Sequence, residues 1–245
     1  MNIVLSGYGK MGHEVETAAR ARKHTIVGTY DIDRPISLES LKADKPDVII
    51  DFTQPGSVAA NVSAASKAKI PIVIGTTGWE KQLSAVGTMI AEAKTGCVYA
   101  SNFSIGVNLF LKIVADASHL LSNADYDVYI SEAHHNMKKD FPSGTALRIS
   151  EAVLSGFKSK TTVASELKQG EAPSKDTLLI SSIRAGSITG THTVGYVSDV
   201  DDIELTHRAK SRRGFALGAV RAAEWIVGKN GIYRFEDHIT EILGV

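Results

Sequence analysis

Between Glu132 and Thr145 the chain reads Glu132-Ala133-His134-His135-Asn136-Met137-Lys138-Lys139-Asp140-Phe141-Pro142-Ser143-Gly144-Thr145, which packs titratable, cationic and anion-binding groups into one segment. Imidazoles titrate near neutrality, so His134 and His135 can give or take a proton under ordinary conditions. Lys138 supplies a point positive charge. Pro142-Ser143-Gly144-Thr145 precedes the apolar run Ala146-Leu147-Arg148-Ile149, a pattern that predicts a capped helix start whose free backbone N–H groups can hold a carboxylate or phosphate. Taken one at a time, these are equally a pair of surface histidines, a solvated lysine pair and an ordinary cap. Their co-occurrence favours a site for a dianionic substrate. Glu132 with the histidines also raises a metal, but adjacent residues on an extended chain point to opposite faces and no further Cys/His cluster completes a set. We therefore expect no metal.

These groups must be held by a scaffold, and the composition bounds it. A chain of 245 residues, 43% hydrophobic and 22% charged, is long enough for one large or two smaller cores. Lys+Arg and Asp+Glu both number 27, so the net charge is zero. That balance argues against a broad grip on nucleic acid or on an anionic membrane. The lone Cys97 rules out an intramolecular disulfide, and its apolar neighbours predict a buried thiol. The stretch Asn2-Ile3-Val4-Leu5-Ser6-Gly7 lacks a basic, then long apolar, leader pattern, and no apolar run approaches a membrane span. A cytoplasmic protein is the expectation.

Ile3-Val4-Leu5, Thr25 to Tyr30, Val48 to Phe52, Ile72 to Gly75 and Cys97 to Ala100 are short apolar or β-branched runs that read as buried parallel strands. Met11 to Arg22, Gly56 to Lys67 and Trp79 to Lys94 carry helical spacing between them, giving the βαβ alternation of a doubly wound sheet. After Asn102 the pattern changes. Helices are predicted over Gly106 to Leu121 and Gly144 to Leu154, and strands over Asp127 to His134, Thr177 to Arg184, Thr191 to Ser198 and Asp202 to Arg208, with Ser155 to Asp176 as a connecting excursion. Phe215 to Val227 returns to helical spacing before a short tail. The fold class is thus α/β: a Rossmann-type parallel-sheet domain and an α+β domain built on an open sheet.

Gly7-Tyr8-Gly9-Lys10-Met11-Gly12 follows a strand and opens a helix, the context a dinucleotide fingerprint requires. Asp31 lies at the end of the next strand, where a carboxylate can accept from the adenosine ribose hydroxyls. Asp31 favours NADH by repelling a 2′-phosphate, whereas Lys10 and Arg34 could attract one, so NADH, NADPH or both remain open as cofactors.

The segment from His134 to Thr145 closely resembles the H-H-x-x-K-x-D-x-P-S-G-T signature of the 4-hydroxy-tetrahydrodipicolinate reductase (dihydrodipicolinate reductase) family. Further likenesses are Ile50 to Pro55, Gly75-Thr76-Thr77-Gly78, Ala100 to Asn108, Ser182 to His192 and Thr206 to Ala216, so the resemblance spans nearly the whole chain. Phe141 and Thr193 depart from it, standing where alanine and glutamate are usual, and Ser6 stands where the family often has glycine.

The resemblance implies an NAD(P)H-dependent reductase of lysine and diaminopimelate biosynthesis, acting on a small cyclic dicarboxylate and assembling as a homotetramer. It implies a dinucleotide-binding domain of residues 1–105 and 213–245, and a substrate-binding and oligomerisation domain of residues 106–212. By the same resemblance His134 is the general acid and Lys138 pairs with a substrate carboxylate. His135, Ser143, Gly144 and Thr145 contact substrate, while Gly75, Thr76, Thr77, Ala100, Ser101, Asn102 and Phe103 line the nicotinamide side of the cofactor site. Two other functions stay open at this point. Another two-domain nicotinamide oxidoreductase would keep the glycine loop without needing His134, Lys138 and the Ser143-Gly144-Thr145 cradle together; a nonenzymatic dinucleotide-binding redox sensor would lack turnover.

Overall fold

The computed structural model describes residues 1–244. In chain order the elements are β1 (Asn2–Ser6), α1 (Lys10–Ala21), β2 (Thr25–Tyr30), α2 (Leu38–Asp44), β3 (Val48–Asp51), α3 (Val58–Ala68), β4 (Ile72–Ile74), α4 (Leu83–Ala93) and β5 (Gly96–Tyr99). There follow α5 (Ile105–Leu121), β6 (Asp127–His134), α6 (Gly144–Gly156), β7 (Thr162–Ala164), β8 (Thr177–Arg184), β9 (Thr191–Val197), β10 (Asp202–Arg208), α7 (Arg213–Ile226), β11 (Gly231–Arg234) and α8 (Ile239–Leu243). The chain divides into two compact units, Met1–Ile105 with the chain from Arg212 onward, and Gly106–Ser211. Arg212 thus falls in the first unit, one residue from the boundary expected of the sequence. Among the described residues no helix is long and apolar enough to cross a membrane.

The first unit holds a six-stranded parallel sheet in the order β11-β5-β4-β3-β1-β2. Its strands are apolar on both faces because helices cover both. Ile3, Val4, Leu5, Ile49, Ile50, Ile72, Val73, Ile74 and Val98 are all buried. Cys97 is buried among them, and burial pushes its thiol pKa up, which keeps it protonated and unreactive. The strand order reverses between β1 and β3, which opens a crevice at their carboxyl ends. α7 packs on α1 and on β3, β4 and β5. Gly218 lets it do so, since a Cβ there would sit 1.8 Å from the Phe103 carbonyl oxygen.

The second unit is a mixed five-stranded sheet, β10-β9-β6-β8-β7. β6, β8 and β7 run parallel, while β9 and β10 are antiparallel to their neighbours. On one face Val128, Ile130, Leu178, Ile180, Val194 and Tyr196 meet Phe110 and Val114 of α5 and Ala146, Ile149 and Val153 of α6. Four elements depart from the sequence expectation. β7 interrupts the excursion from Ser155 to Asp176, its three residues being too few and too exposed to show alternation. α2 was unmarked despite a reciprocal cap between Ser37 and Ser40, and what was expected to be a tail supplies β11 and α8.

Candidate active site

β6 shows how the second unit builds its site. Its buried face runs Val128, Ile130, Glu132, His134, apolar for two positions and then polar at the end of the strand. The flanking strands change character at the same end. In register, Glu132 faces Ser182 of β8 and His192 of β9, and His134 faces Arg184 of β8. α6 begins close by, capped by Ser143, whose Oγ accepts from the Ala146 amide at 3.2 Å. An apolar core thus ends in a polar cluster under a helix start.

Glu132 is the hub of that cluster. Its Oε1 accepts from the Ser143 amide (3.1 Å), the Ser182 hydroxyl (2.8 Å) and Arg184 Nη2 (2.8 Å). Burial alone would raise this carboxyl, but hydrogen bonds from Ser143, Arg184 and Ser182 outweigh it and hold the pKa at about 2. Oε2 lies 3.1 Å from His134 Nδ1 and 3.7 Å from His192 Nε2. The 3.1 Å contact is within ion-pair reach but off the line of a hydrogen bond, so both of its atoms lack a hydrogen-bond partner among the described residues. His192 also sits 3.2 Å from Ser143 Oγ and edge-on to the His134 ring, with centroids 5.1 Å apart.

Burial lowers the pKa of both histidines. In His134 the Glu132 carboxylate offsets part of this, while Lys138 and Arg184 add to it. In His192 burial, helped by His134, brings the value to about 4. Without ligand the cluster therefore favours neutral imidazoles. That qualifies the sequence expectation for His134: imidazolium near neutrality needs a bound anion to raise its pKa.

The remaining expected substrate residues surround this core unequally. Lys138 Nζ is held by both oxygens of Asp140, at 2.8 and 2.9 Å, so it does not wait unpaired for a substrate. The Ser143 hydroxyl is engaged as the cap and by His192. Gly144 and Thr145 occupy the first helical positions, where amides have no intrahelical acceptor, and a Cβ on Gly144 would meet nothing within 4 Å. What the helix start offers an anion is therefore backbone amide. His135, just past the end of β6, is exposed.

Sequence reasoning missed His192, Arg184 and Ser182, because their relation to Glu132 is one of strand register. It also found no third residue for a metal cluster, whereas Glu132, His134 and His192 bring their ligating atoms within 4.8 Å of one another. Charge argues against a cation there. Glu132 already neutralises the Arg184 guanidinium, and His192 Nε2 is already engaged by Ser143.

In the first unit the glycine loop lies at the switch point, beside a pocket lined by Ser6, Gly7, Gly9, Asp31, Ile32, Pro35, Phe52, Thr53, Gln54, Ser57 and Asn61. Three glycines do three jobs. Gly7 has φ +87° and its Cβ would lie 2.3 Å from the Phe52 carbonyl oxygen, so only glycine makes this turn. Gly12 would put a Cβ 2.5 Å from the Gly7 oxygen, and its absence lets α1 pack on the loop. Gly9 caps α1 and a Cβ there would meet nothing within 4 Å, which leaves space in front of the helix N-terminus for a pyrophosphate. The site fits a dinucleotide.

Asp31 Oδ2 accepts from the Tyr8 amide at 3.1 Å, and its Oδ1 from Ile32. Lys10 is exposed and Met11 half-buried at the start of α1, while Tyr8 reaches Glu16 through its hydroxyl. Arg34 is turned back, donating to the Thr29 carbonyl and lying over the Tyr30 ring. Beneath the pocket, buried Asp51 accepts from Thr53, from Asn61 Nδ2 (2.6 Å) and from Thr76 Oγ1 (2.7 Å), tying together the loops after β3 and β4. Thr76 thus spends its hydroxyl on Asp51, and Phe103 packs its ring on Phe52 and Phe235 in the core. Gly75 is crowded by Phe52, Ala100 is buried, Thr77 and Ser101 are exposed, and Asn102 Oδ1 accepts from the Ser104 amide.

A parallel sheet with a three-glycine loop in one unit, and a buried acid–base cluster beside an open helix start in the other, define a two-domain oxidoreductase that uses a nicotinamide dinucleotide. Family models agree: the dihydrodipicolinate reductase N-terminus matches residues 1–103, and the dihydrodipicolinate reductase C-terminus matches residues 106–239. The chain belongs to the dihydrodipicolinate reductase family. It is 39% identical over 244 residues to the 4-hydroxy-tetrahydrodipicolinate reductase of Christiangramia forsetii, covering 99% of each chain. The enzyme of the same name from Methanoculleus marisnigri is 41% identical, over 97% of this chain and 98% of its own. A dipicolinate-bound dihydrodipicolinate reductase from Paenisporosarcina sp. TG-14 shares the fold, with a TM-score of 0.78 over 97% of this chain and 98% of that one, at 23% identity.

Proposed function

We propose that this protein is an NAD(P)H-dependent 4-hydroxy-tetrahydrodipicolinate reductase, converting (S)-4-hydroxy-2,3,4,5-tetrahydrodipicolinate to 2,3,4,5-tetrahydrodipicolinate with loss of water, in lysine and diaminopimelate biosynthesis. The observation that carries the reading is the joining, through Glu132, of His134 to the helix start that presents the Gly144 and Thr145 amides. A cyclic substrate with two carboxylates needs an anion cradle and a proton donor a few ångströms apart, and this cluster offers both.

Elimination of the hydroxyl as water leaves a conjugated ring. A bound nicotinamide would supply the hydride that C4 of that ring receives. As the electron pair moves through the ring, one proton must reach the ring nitrogen or the carbon beside C4, and His134 delivers it from Nε2. Gly190 leaves room at that atom, since a Cβ there would come within 3.1 Å of it. One carboxylate rests on the Gly144 and Thr145 amides. The other exchanges for Asp140 on Lys138, and two carboxylates near His134 raise its pKa so that it carries the proton at neutral pH. Gly7 to Gly12 would hold the pyrophosphate, Asp31 the adenosine ribose, and Gly75 to Thr77 with Ala100 to Phe103 the nicotinamide end.

We place the reaction in the cytoplasm, and the working form as a homotetramer. The face of the second sheet that lies away from α5 and α6 carries exposed Ile183 and Val197, which supports assembly through that face. An assay with freshly generated substrate, following loss of NADH and of NADPH absorbance in parallel, tests the function. Substrate-dependent oxidation of either cofactor is expected. Binding of cofactor without turnover would leave only a dinucleotide sensor.

A further inference from the structure

Glu132 uses one oxygen on the helix start and aims the other at the imidazole. Its Oε1 takes the Ser143 amide together with Ser182 and Arg184; its Oε2 faces His134 Nδ1 at 3.1 Å, with both of those atoms otherwise unpartnered. We propose that Glu132 is a positioning residue of the reaction, fixing a proton on His134 Nδ1 so that Nε2 is the atom that exchanges with substrate, and holding the anion cradle in register with it. The proposal rests on the reductase reading above, and deepens it at the same site.

A carboxylate kept only to neutralise Arg184 would not need to face an imidazole. It is fully buried, accepts three donors on one oxygen and presents the other to His134 and His192. Because an ionised carboxylate only accepts, the group facing it must donate, and that sets the tautomer of His134. The charged and titratable groups around His134 are Glu132 on its own strand, Arg184 on β8, His192 on β9, and Lys138 and Asp140 on the following loop. Of these, Glu132 and Asp140 favour the charged ring, and only Glu132 is buried.

Glu132→Gln is a sharp perturbation because Arg184 can only donate. The amide oxygen must stay on Arg184, Ser182 and Ser143, which turns the NH2 toward His134 Nδ1 and forces the proton to Nε2 in the neutral ring. The cradle is kept while the acid is disarmed. We expect kcat to fall about 10²–10³-fold, with KM for the dicarboxylate and affinity for NADH changed less than about threefold. Losing the carboxylate also lowers the His134 pKa further, so the alkaline limb of the kcat profile should move to lower pH. Nitrogen-15 NMR, with the His134 signal assigned by its loss in His134→Asn, should show Nδ1–H in the native protein and Nε2–H in the variant.

Native kcat and an unchanged pH profile in Glu132→Gln would overturn the proposal, and so would a kcat loss matched by an equal rise in KM, which would mean a collapsed cradle. Should the variant fail to fold, the tautomer of the native protein decides alone, since Nε2–H there contradicts the proposal. A native protein without reductase turnover would refute the function instead, and the NMR result would still judge the role of Glu132.

Discussion

Gly9→Ala separates cofactor binding from folding. The backbone at Gly9 is φ −87°, open to any residue, and the added methyl would touch nothing within 4 Å in the free protein. An alanine N-cap is poorer than glycine, but alanine also has less unfolded-state entropy to lose, so the two effects nearly cancel and stability should change by less than about 1 kcal/mol. In the proposed complex, the methyl would stand where the pyrophosphate approaches. Displacing it from two charge-assisted hydrogen bonds, each worth about 1.5–3 kcal/mol, removes about 3–6 kcal/mol, or roughly 10²–10⁴ in Kd. Gly7→Ala is the contrast: its φ of +87° and a 2.3 Å clash with the Phe52 carbonyl oxygen belong to the free fold. Strain and overpacking together should cost about 2–6 kcal/mol of stability. Urea denaturation and NADH fluorescence titration on both variants give the two quantities. A Gly9→Ala protein that binds NADH normally would refute the placement of the pyrophosphate.

His134→Gln should lower kcat by roughly 10²–10⁴ while leaving NADH affinity unchanged; full activity by steady-state assay would remove His134 from the mechanism. Lys138→Ala should lose both KM and kcat, whereas Asp140→Asn, which frees Lys138 from its 2.8 Å pair, should not raise KM; the opposite pattern would make the pair structural. Asp31→Ala should weaken NADH more than NADPH in parallel titrations, and equal losses would show that Asp31 does not discriminate at the ribose. His192 is held neutral when folded, with a pKa of about 4 against a usual 6.5, so between those values the unfolded chain binds a proton that the folded one refuses. Stability should therefore fall as pH drops through that window, by on the order of 3 kcal/mol at its lower end, and denaturation midpoints that rise from pH 7 to pH 5 would contradict this.

The parallel sheet was legible because strands buried on both faces are written as continuous apolar runs, and the glycine loop because its three glycines sit between a strand and a helix, with Gly7 and Gly12 each meeting a steric demand. β6 was legible to the residue, its alternation carrying Glu132 and His134 to one face. What that face meets was not. Ser182, Arg184 and His192 are opposite Glu132 and His134 only through the register of β8 and β9, which depends on strand pairing across some 50 residues and leaves no local mark. The partners of Ser143 and Lys138 in the free protein, His192 and Asp140, were likewise not marked locally as partners. β7 and β11, of three and four residues, are too short for periodicity to speak.

Hydride must reach C4 of a cyclic dicarboxylate. The most direct measurement supplies freshly generated 4-hydroxy-tetrahydrodipicolinate with NADH or NADPH deuterated at the transferring position, and analyses the product by mass spectrometry and NMR. One deuterium per molecule at C4 of tetrahydrodipicolinate, with stoichiometric cofactor oxidation, is the predicted result. Cofactor oxidation without deuterium in the product, or product formed without cofactor oxidation, would contradict it.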